Sequence, residues 1–362
     1  MPDLRSRFRG CLLAGAIGDA LGADIEFWPH REIVDRFGPG GPTELGTGYG
    51  VPGAITDDTQ MTLWTAEGSL RAFHRSSTKG IVSVPTVALN AYLRWLDTQE
   101  ESPNPTRHRD SWLWAVEGLH ARRAPGLTCL SALRSRRSSD STEPINDSKG
   151  CGGVMRMAPV GLLSRTPTVA FDLGCKLAQL THEHPTGIVA SGAFAVAIWH
   201  LADGIDLEDA LDHALEAASS ADGAETAAAL EAARDLAGSG HGDADAVHAL
   251  GTVTPDRGPG WVAEEALAVA ALCARRYPTD LDAALRMSVT HTGDSDSTGA
   301  ICGNLLGAYL GHGAVASRWE DAVELRGVIL QVADDLHDAR VFGIDSYQKK
   351  ETDAWAERYP PG

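Results

Sequence analysis

The sequence predicts an all-α fold, organised as one domain over residues 1–362. Three features carry that prediction. Apolar residues recur every three to four positions through most of the chain, alternating strand patterns are scarce, and two segments bear a ridge of small residues at every fourth position. The first helix, Leu4–Gly22, carries one ridge as Gly10, Ala14, Gly18 and Gly22. Helices follow over 58–73, 112–122, 169–180 and 187–201, with Pro185 separating the last two. Residues 207–218 and 224–236 belong to an Ala-rich acidic stretch that suits solvated peripheral helices. The series closes with 264–277, Leu281–Val289, 298–310 and 319–339, and the helix over 298–310 bears the second ridge, Gly299, Gly303, Gly307 and Gly311. Glycine costs a helix about 1 kcal/mol against alanine. Two such ridges make sense where backbones cross closely, which places both helices side by side in the core. Residues 27–54 and 134–153 are rich in glycine, proline or polar residues and read as long functional loops.

Composition narrows the function before any motif does. The 31 Lys and Arg against 49 Asp and Glu leave a formal charge of -18, a field that repels a nucleic-acid backbone. An anionic ligand would need local compensation from helix N-termini, a buried basic residue or a bound cation. Hydrophobic residues at 43% with no low-complexity run exclude disorder and fibre. The six cysteines contain no C-x-x-C pair, which suits a reducing compartment. Arg5, Arg7 and Arg9 precede the apolar run 11–17 in the manner of a secretory signal, but Asp19 interrupts that pattern. No stretch reaches the roughly 20 apolar residues of a membrane span, and 187–202 comes nearest. The expectation is a soluble, cytoplasmic monomer with neither membrane nor general nucleic-acid partners.

Chemistry concentrates at two helix starts. Thr56-Asp57-Asp58-Thr59 and Asp294-Ser295-Asp296-Ser297-Thr298 each gather carboxylates and hydroxyls there. Singly, such residues are ordinary caps. Together, beside glycine-rich segments, Thr56, Asp57, Asp58, Asp294, Asp296 and Ser297 offer hard oxygen donors for one or two Mg²⁺ or Mn²⁺ ions. An EF-hand reading of 294–305 fails, because Leu305 stands where the bidentate Glu belongs. Asp334-Asp335-Leu336-His337-Asp338 has the spacing of the aspartate-rich motif of prenyl-diphosphate enzymes. Aromatics at 6% count against that rival, and a solvated helix end is the simpler reading. The glycine-rich run 148–156 can turn N–H groups toward an anion, with Lys149 or Arg156 adding charge, although it lacks the phosphate-loop pattern. His182 and His184 look like a ligand pair, yet Pro185 breaks their helix face and hydrogen bonding suits both better. Glu26 enters the long loop as a mobile or merely solvated acid. Trp261 can stack on a flat ring or fill the core.

These segments together resemble the ADP-ribosylglycohydrolases. The resemblance is carried by 10–22, Glu26-Phe27, 56–61, 148–159, 181–187, 260–265 and 293–299. It implies an orthogonal helical bundle whose central cleft holds two divalent cations, Mg²⁺ or Mn²⁺, on Thr56, Asp57, Asp58, Asp294, Asp296 and Ser297. It further implies that Asn146, Ser148, Lys149, Gly150, Cys151 and Gly152 form a diphosphate-binding loop, that His182 and Trp261 line the ligand, and that Glu26 rides a loop that moves with substrate entry. The implied activity is metal-dependent hydrolysis of the glycosidic bond between ADP-ribose and a protein side chain, with Asp58 or Asp296 taking the proton of water. The motifs at 150–152, 181–187 and 293–299 lie closer to the arginine-specific members, so ADP-ribosylarginine is the expected linkage. Serine-linked or O-acetyl-linked ADP-ribose, and a non-catalytic ADP-ribose reader, are the alternatives. The expected partner is an ADP-ribosylated protein or a small ADP-ribose conjugate.

Overall fold

The two small-residue ridges meet at the centre of the molecule. In the computed structural model, which describes residues 2–100, 104–108, 110–138, 144–221, 223–252, 258–342 and 349–361, helix Leu4–Gly22 runs antiparallel to helix Ser295–Leu310, with Gly10 opposite Gly307 and Gly18 opposite Gly299. A Cβ on Gly18 would lie 2.0 Å from the Gly299 carbonyl oxygen, so a side chain there would push the helices apart. The Asn304 side-chain amide locks the crossing by donating to the Cys11 carbonyl at 2.8 Å. Helices Pro185–Ala202, Ala263–Arg276 and Leu281–Val289 pack on Ser295–Leu310, and Arg326–Phe342 packs on Leu4–Gly22. Pro185–Ala202 has the length and apolarity of a membrane span, but 78% of it is buried against its neighbours, as a core helix apolar on every side must be. Among the described residues the β structure amounts to an isolated bridge, Gly150 with Val262. The fold is all-α.

Several elements depart from the sequence reading, each for a local reason. Residues 112–122 form two short 3₁₀ turns, Leu113–Ala115 and Glu117–His120, because Val116 between them is extended. The segment 319–339 is broken into Ser317–Glu320 and Arg326–Phe342, with Leu325 at a left-handed φ of 57°. At that break the Glu324 N–H donates to the Gly53 carbonyl, and its carboxylate takes the Ile55 N–H and pairs with Arg123. Helix Val84–Thr98 is additional, as are His30–Phe37 inside the first long loop and Leu127–Ser138 reaching into the second. Asp334 and Asp335 are neither a diphosphate site nor a solvated helix end. Asp334 pairs with Arg5 and Arg9, while buried Asp335 takes bonds from Arg358, Gln331 and the Tyr359 hydroxyl.

The crossing predicts opposite outcomes for two glycine substitutions. Gly18→Ala should cost more than about 2 kcal/mol through overpacking. Gly327→Ala, on an exposed helix start with nothing within 4 Å of its would-be Cβ, should be neutral or gain up to about 1 kcal/mol. Urea unfolding of the two variants checks both.

Candidate functional site

The close crossing decides where the acidic motifs go. Helix Ser295–Leu310 begins three residues earlier than its apolar pattern suggests, so Asp296 and Ser297 occupy its first turn and Asp294 is its N-cap. Thr56 caps helix Asp57–Lys79 in the same way. Both N-termini open on one cleft of about 450 Å³, lined by Glu26, Asp57, Asp58, Asp294, Asp296 and Ser297, a volume within the range of small-molecule sites. Glu26, Asp294 and Asp296 each bring an oxygen within 4.8 Å of the other two. The Ser297 hydroxyl interacts with Asp58 and so bridges the two clusters.

Backbone donors hold these carboxylates in place. Asp57 accepts the Gly126 N–H at 3.0 Å, Asp296 the Ser297 N–H at 2.9 Å, and Asp294 the Ser297 N–H at 3.3 Å together with the Cys151 thiol at 3.0 Å. Asp58 differs, since its Oδ1 is buried and meets no hydrogen-bond donor. Orphaned buried carboxylate oxygens are costly. Burial pushes the Asp57 carboxyl up to about 8 against the opposing Gly126 bond, with Asp19 and Asp294 adding to the rise. Burial and then Asp294, Asp57 and Asp19 push Glu26 to about 9. Asp58 and Asp296 are driven well above the ordinary carboxylate range, by burial first and then by Asp57 and Glu26 respectively. A set of hard oxygen donors, mutually repelling and with one oxygen unpartnered, fits a divalent cation.

The other wall of the cleft is formed by Gly150, Cys151, Gly152, His182 and Trp261. Asn146, Ser148, Lys149 and Thr56 stand behind the lining. Asn146 Oδ1 accepts the Ser148 N–H at 3.0 Å while its amide donates to the Thr181 carbonyl at 2.9 Å, and Ser148 Oγ accepts the Gly150 N–H at 3.3 Å. The Lys149 ammonium is committed to Glu225 and Glu264, so its charge is taken up by two carboxylates outside the cleft lining. Arg156 is fully buried. It donates to Thr181 Oγ1 at 2.6 Å, which in turn bonds His182 Nδ1 at 2.9 Å. Burial and then Arg156 lower His182 to about 3, leaving a neutral imidazole. His184 is no partner to it, because its Nδ1 caps helix Pro185–Ala202 by accepting the Thr186 N–H. Trp261 meets Phe27 edge-on, their centroids 4.9 Å apart. Phe27, next to Glu26, holds a left-handed φ of 62° and bonds its N–H to the Gly293 carbonyl.

One further residue belongs to the site although its place in the sequence marks it only as an interruption of an apolar run. Asp19, fully buried on Leu4–Gly22, accepts the backbone N–H groups and the hydroxyls of both Thr56 and Thr59. Its signal in the sequence was a lone carboxylate inside an apolar, small-residue helix, and buried polar groups are the informative exceptions.

Fold and site together define an all-helical protein with an acidic cleft suited to cations and walled by a glycine-rich turn. The chain belongs to the ADP-ribosylglycohydrolase family, whose model it matches over residues 1–343, and it is a glycosidase of ADP-ribose linkages. It is 24% identical over 339 residues to the ADP-ribosyl-[dinitrogen reductase] glycohydrolase of Rhodospirillum rubrum, covering 90% of this chain and 92% of that one. It is also 24% identical to ADP-ribosylarginine hydrolase Tri1 of Pseudomonas putida (strain GB-1), covering 92% and 78%. A solved structure, "ADP-ribosylglycohydrolase-related protein complex", superposes with a TM-score of 0.66 at 26% identity over 94% of this chain and 100% of that one.

The raised carboxyls set a pH dependence whose sign is fixed. Groups with folded values above their unfolded ones stabilise the metal-free protein at low pH, and that contribution is lost as pH rises from about 4 through the folded values of about 8 for Asp57 and about 9 for Glu26. A bound cation would replace the missing protons. The increase in melting temperature on adding Mg²⁺ to chelator-treated protein should therefore be large at pH 8 and small at pH 5, as measured by scanning fluorimetry.

Proposed function

We propose that this enzyme hydrolyses the N-glycosidic bond between ADP-ribose and an arginine side chain with two divalent cations, Mg²⁺ or Mn²⁺, on Thr56, Asp57, Asp58, Asp294, Asp296 and Ser297. The observation that carries the reading is the unpartnered Oδ1 of Asp58 in a cleft it shares with Asp57, Asp294 and Asp296. When bound, the cations would supply Lewis acidity to ribose hydroxyls and to the attacking water.

The chain's own groups divide the remaining tasks. In the Gly150–Gly152 turn, where the Gly150 N–H is bonded to Ser148 Oγ and the Cys151 N–H to the Trp261 carbonyl, the Gly152 N–H is the one offered to the diphosphate. Asn146, Ser148 and Lys149 hold that turn in place from behind, and His182 and Trp261 wall the ligand. Asp58 or Asp296, each already biased toward protonation by burial and like-charged neighbours, takes the proton of water. Glu26 at the cleft edge carries a proton for the departing nitrogen. Charge developing on the ribose ring is stabilised by the surrounding carboxylates. An acidic cleft favours a guanidinium-type acceptor, and the relative named for ADP-ribosylarginine supports the same choice. The enzyme is taken to act in the cytoplasm as a monomer.

Release of free ADP-ribose from arginine-modified and serine-modified protein, with and without Mg²⁺ or Mn²⁺, tests the proposal. Arginine-linked substrate should be cleaved faster and only with metal. Faster cleavage of the serine linkage would reverse the choice of acceptor, and undiminished turnover in chelator would remove the cations. Asp57→Ala and Asp296→Ala should lower kcat at least about a hundredfold while helical circular dichroism is unchanged, and Glu26→Gln should lose about 10²–10⁴-fold in kcat/KM.

A further inference from the structure

We infer that Asp19 is a positioning residue for the cation site, fixing the Thr56 hydroxyl so that it presents one lone pair to a divalent ion. The inference rests on the metal-dependent reading above. Thr56 Oγ1 donates to Asp19 Oδ1 at 2.8 Å and accepts the Asp58 N–H at 3.3 Å. A hydroxyl has one hydrogen and two lone pairs. With the hydrogen committed to Asp19 and one lone pair to Asp58, the other lone pair is left for a cation. Were Asp19 absent, the hydroxyl would be free to turn its hydrogen toward the neighbouring carboxylates, which is the wrong polarity for a ligand.

The placement of Asp19 is itself fixed. It is fully buried, and its carboxylate also takes the Thr56 N–H at 3.0 Å, the Thr59 N–H at 3.1 Å and the Thr59 hydroxyl at 2.5 Å. It follows Gly18, where a Cβ would lie 2.0 Å from the Gly299 carbonyl oxygen on the helix that carries Asp296. One carboxylate thus ties the first ligand cluster to the helix crossing that sets the second. Groups that orient metal ligands from behind typically contribute 10–100-fold to metal affinity.

Mn²⁺ binding to the full chain, followed by electron paramagnetic resonance titration, tests this without reference to turnover. Asp19→Asn and Thr56→Ala should each weaken binding about tenfold, and the double variant should be no weaker than Thr56→Ala, because both changes remove the same oriented hydroxyl. Wild-type affinity in Asp19→Asn, or losses that multiply in the double variant, would overturn the inference. Should Asp19→Asn fail to fold, Thr56→Ser and Thr56→Val decide: serine keeps the hydroxyl and should retain affinity, valine should lose it, and equal affinities would overturn the inference. A wild-type chain that binds no Mn²⁺ removes the metal reading itself, whereas wild-type binding with an unaffected Asp19→Asn removes only the role of Asp19.

Discussion

The contact between helices Leu4–Gly22 and Ser295–Leu310 is the constraint from which the rest of the site follows. Glycine at Gly10, Gly18, Gly299 and Gly307 lets one backbone lie against the other, with Asn304 holding the register. Because interiors are close-packed and deform little, such a crossing acts as a rigid reference. Asp294 and Asp296 sit at the start of one of its helices. The other delivers Asp19 to the start of Asp57–Lys79. Residues more than two hundred positions apart are thereby placed around one cleft by apolar packing, and the hydrogen bonds their carboxylates accept do not cancel the effect of gathering their charges.

Those charges oppose the arrangement. Glu26, Asp57, Asp58 and Asp296 all favour protonation more than an ordinary carboxylate does, and mutual repulsion adds to burial in each case. Such a cluster persists in a folded chain only if the packing around it is worth more than the repulsion, and it gains most from a ligand of opposite charge. The energetic cost of the cleft and its affinity for cations therefore share one origin. Stability is sacrificed at a functional site, as is common where a site must be ready for its ligand.

Much of this was legible in the sequence, and what was missed shares a cause. The ridges could be read because four-residue spacing is a local property of a helix. The two acidic motifs could be read because each falls within five residues at a helix start. Asp19 could not be assigned, because its four donors lie 37 and 40 residues away and nothing local marks them. Lys149 looked like a phosphate contact because its neighbours are glycines, yet its partners Glu225 and Glu264 are 76 and 115 residues distant. Helix Val84–Thr98 has no clear apolar stripe in the sequence because Arg94 and Asp97, paired with Glu67 and with Arg107 and Arg137, interrupt its apolar face. Sequence pattern reports what a residue resembles, whereas long-range pairing decides what it does.

The disposition of the basic residues explains how so acidic a chain handles an anion. Lys149 is neutralised by two glutamates, and Arg156 is buried against Thr181 and the Tyr92 ring. His182, on the cleft wall, is held neutral. None of the three places a free positive charge in the cleft. Beside Arg122 on the cleft lining, the positive potential that a diphosphate requires is then left to oriented N–H groups and bound cations. Under that division, anion binding and cation binding would be interdependent: by linkage, a bound cation would raise the affinity for the diphosphate by the same factor as a bound diphosphate raises the affinity for the cation. A carboxylate such as Asp19, whose bonds are to two threonines behind the cleft, can in this way influence a ligand it never touches.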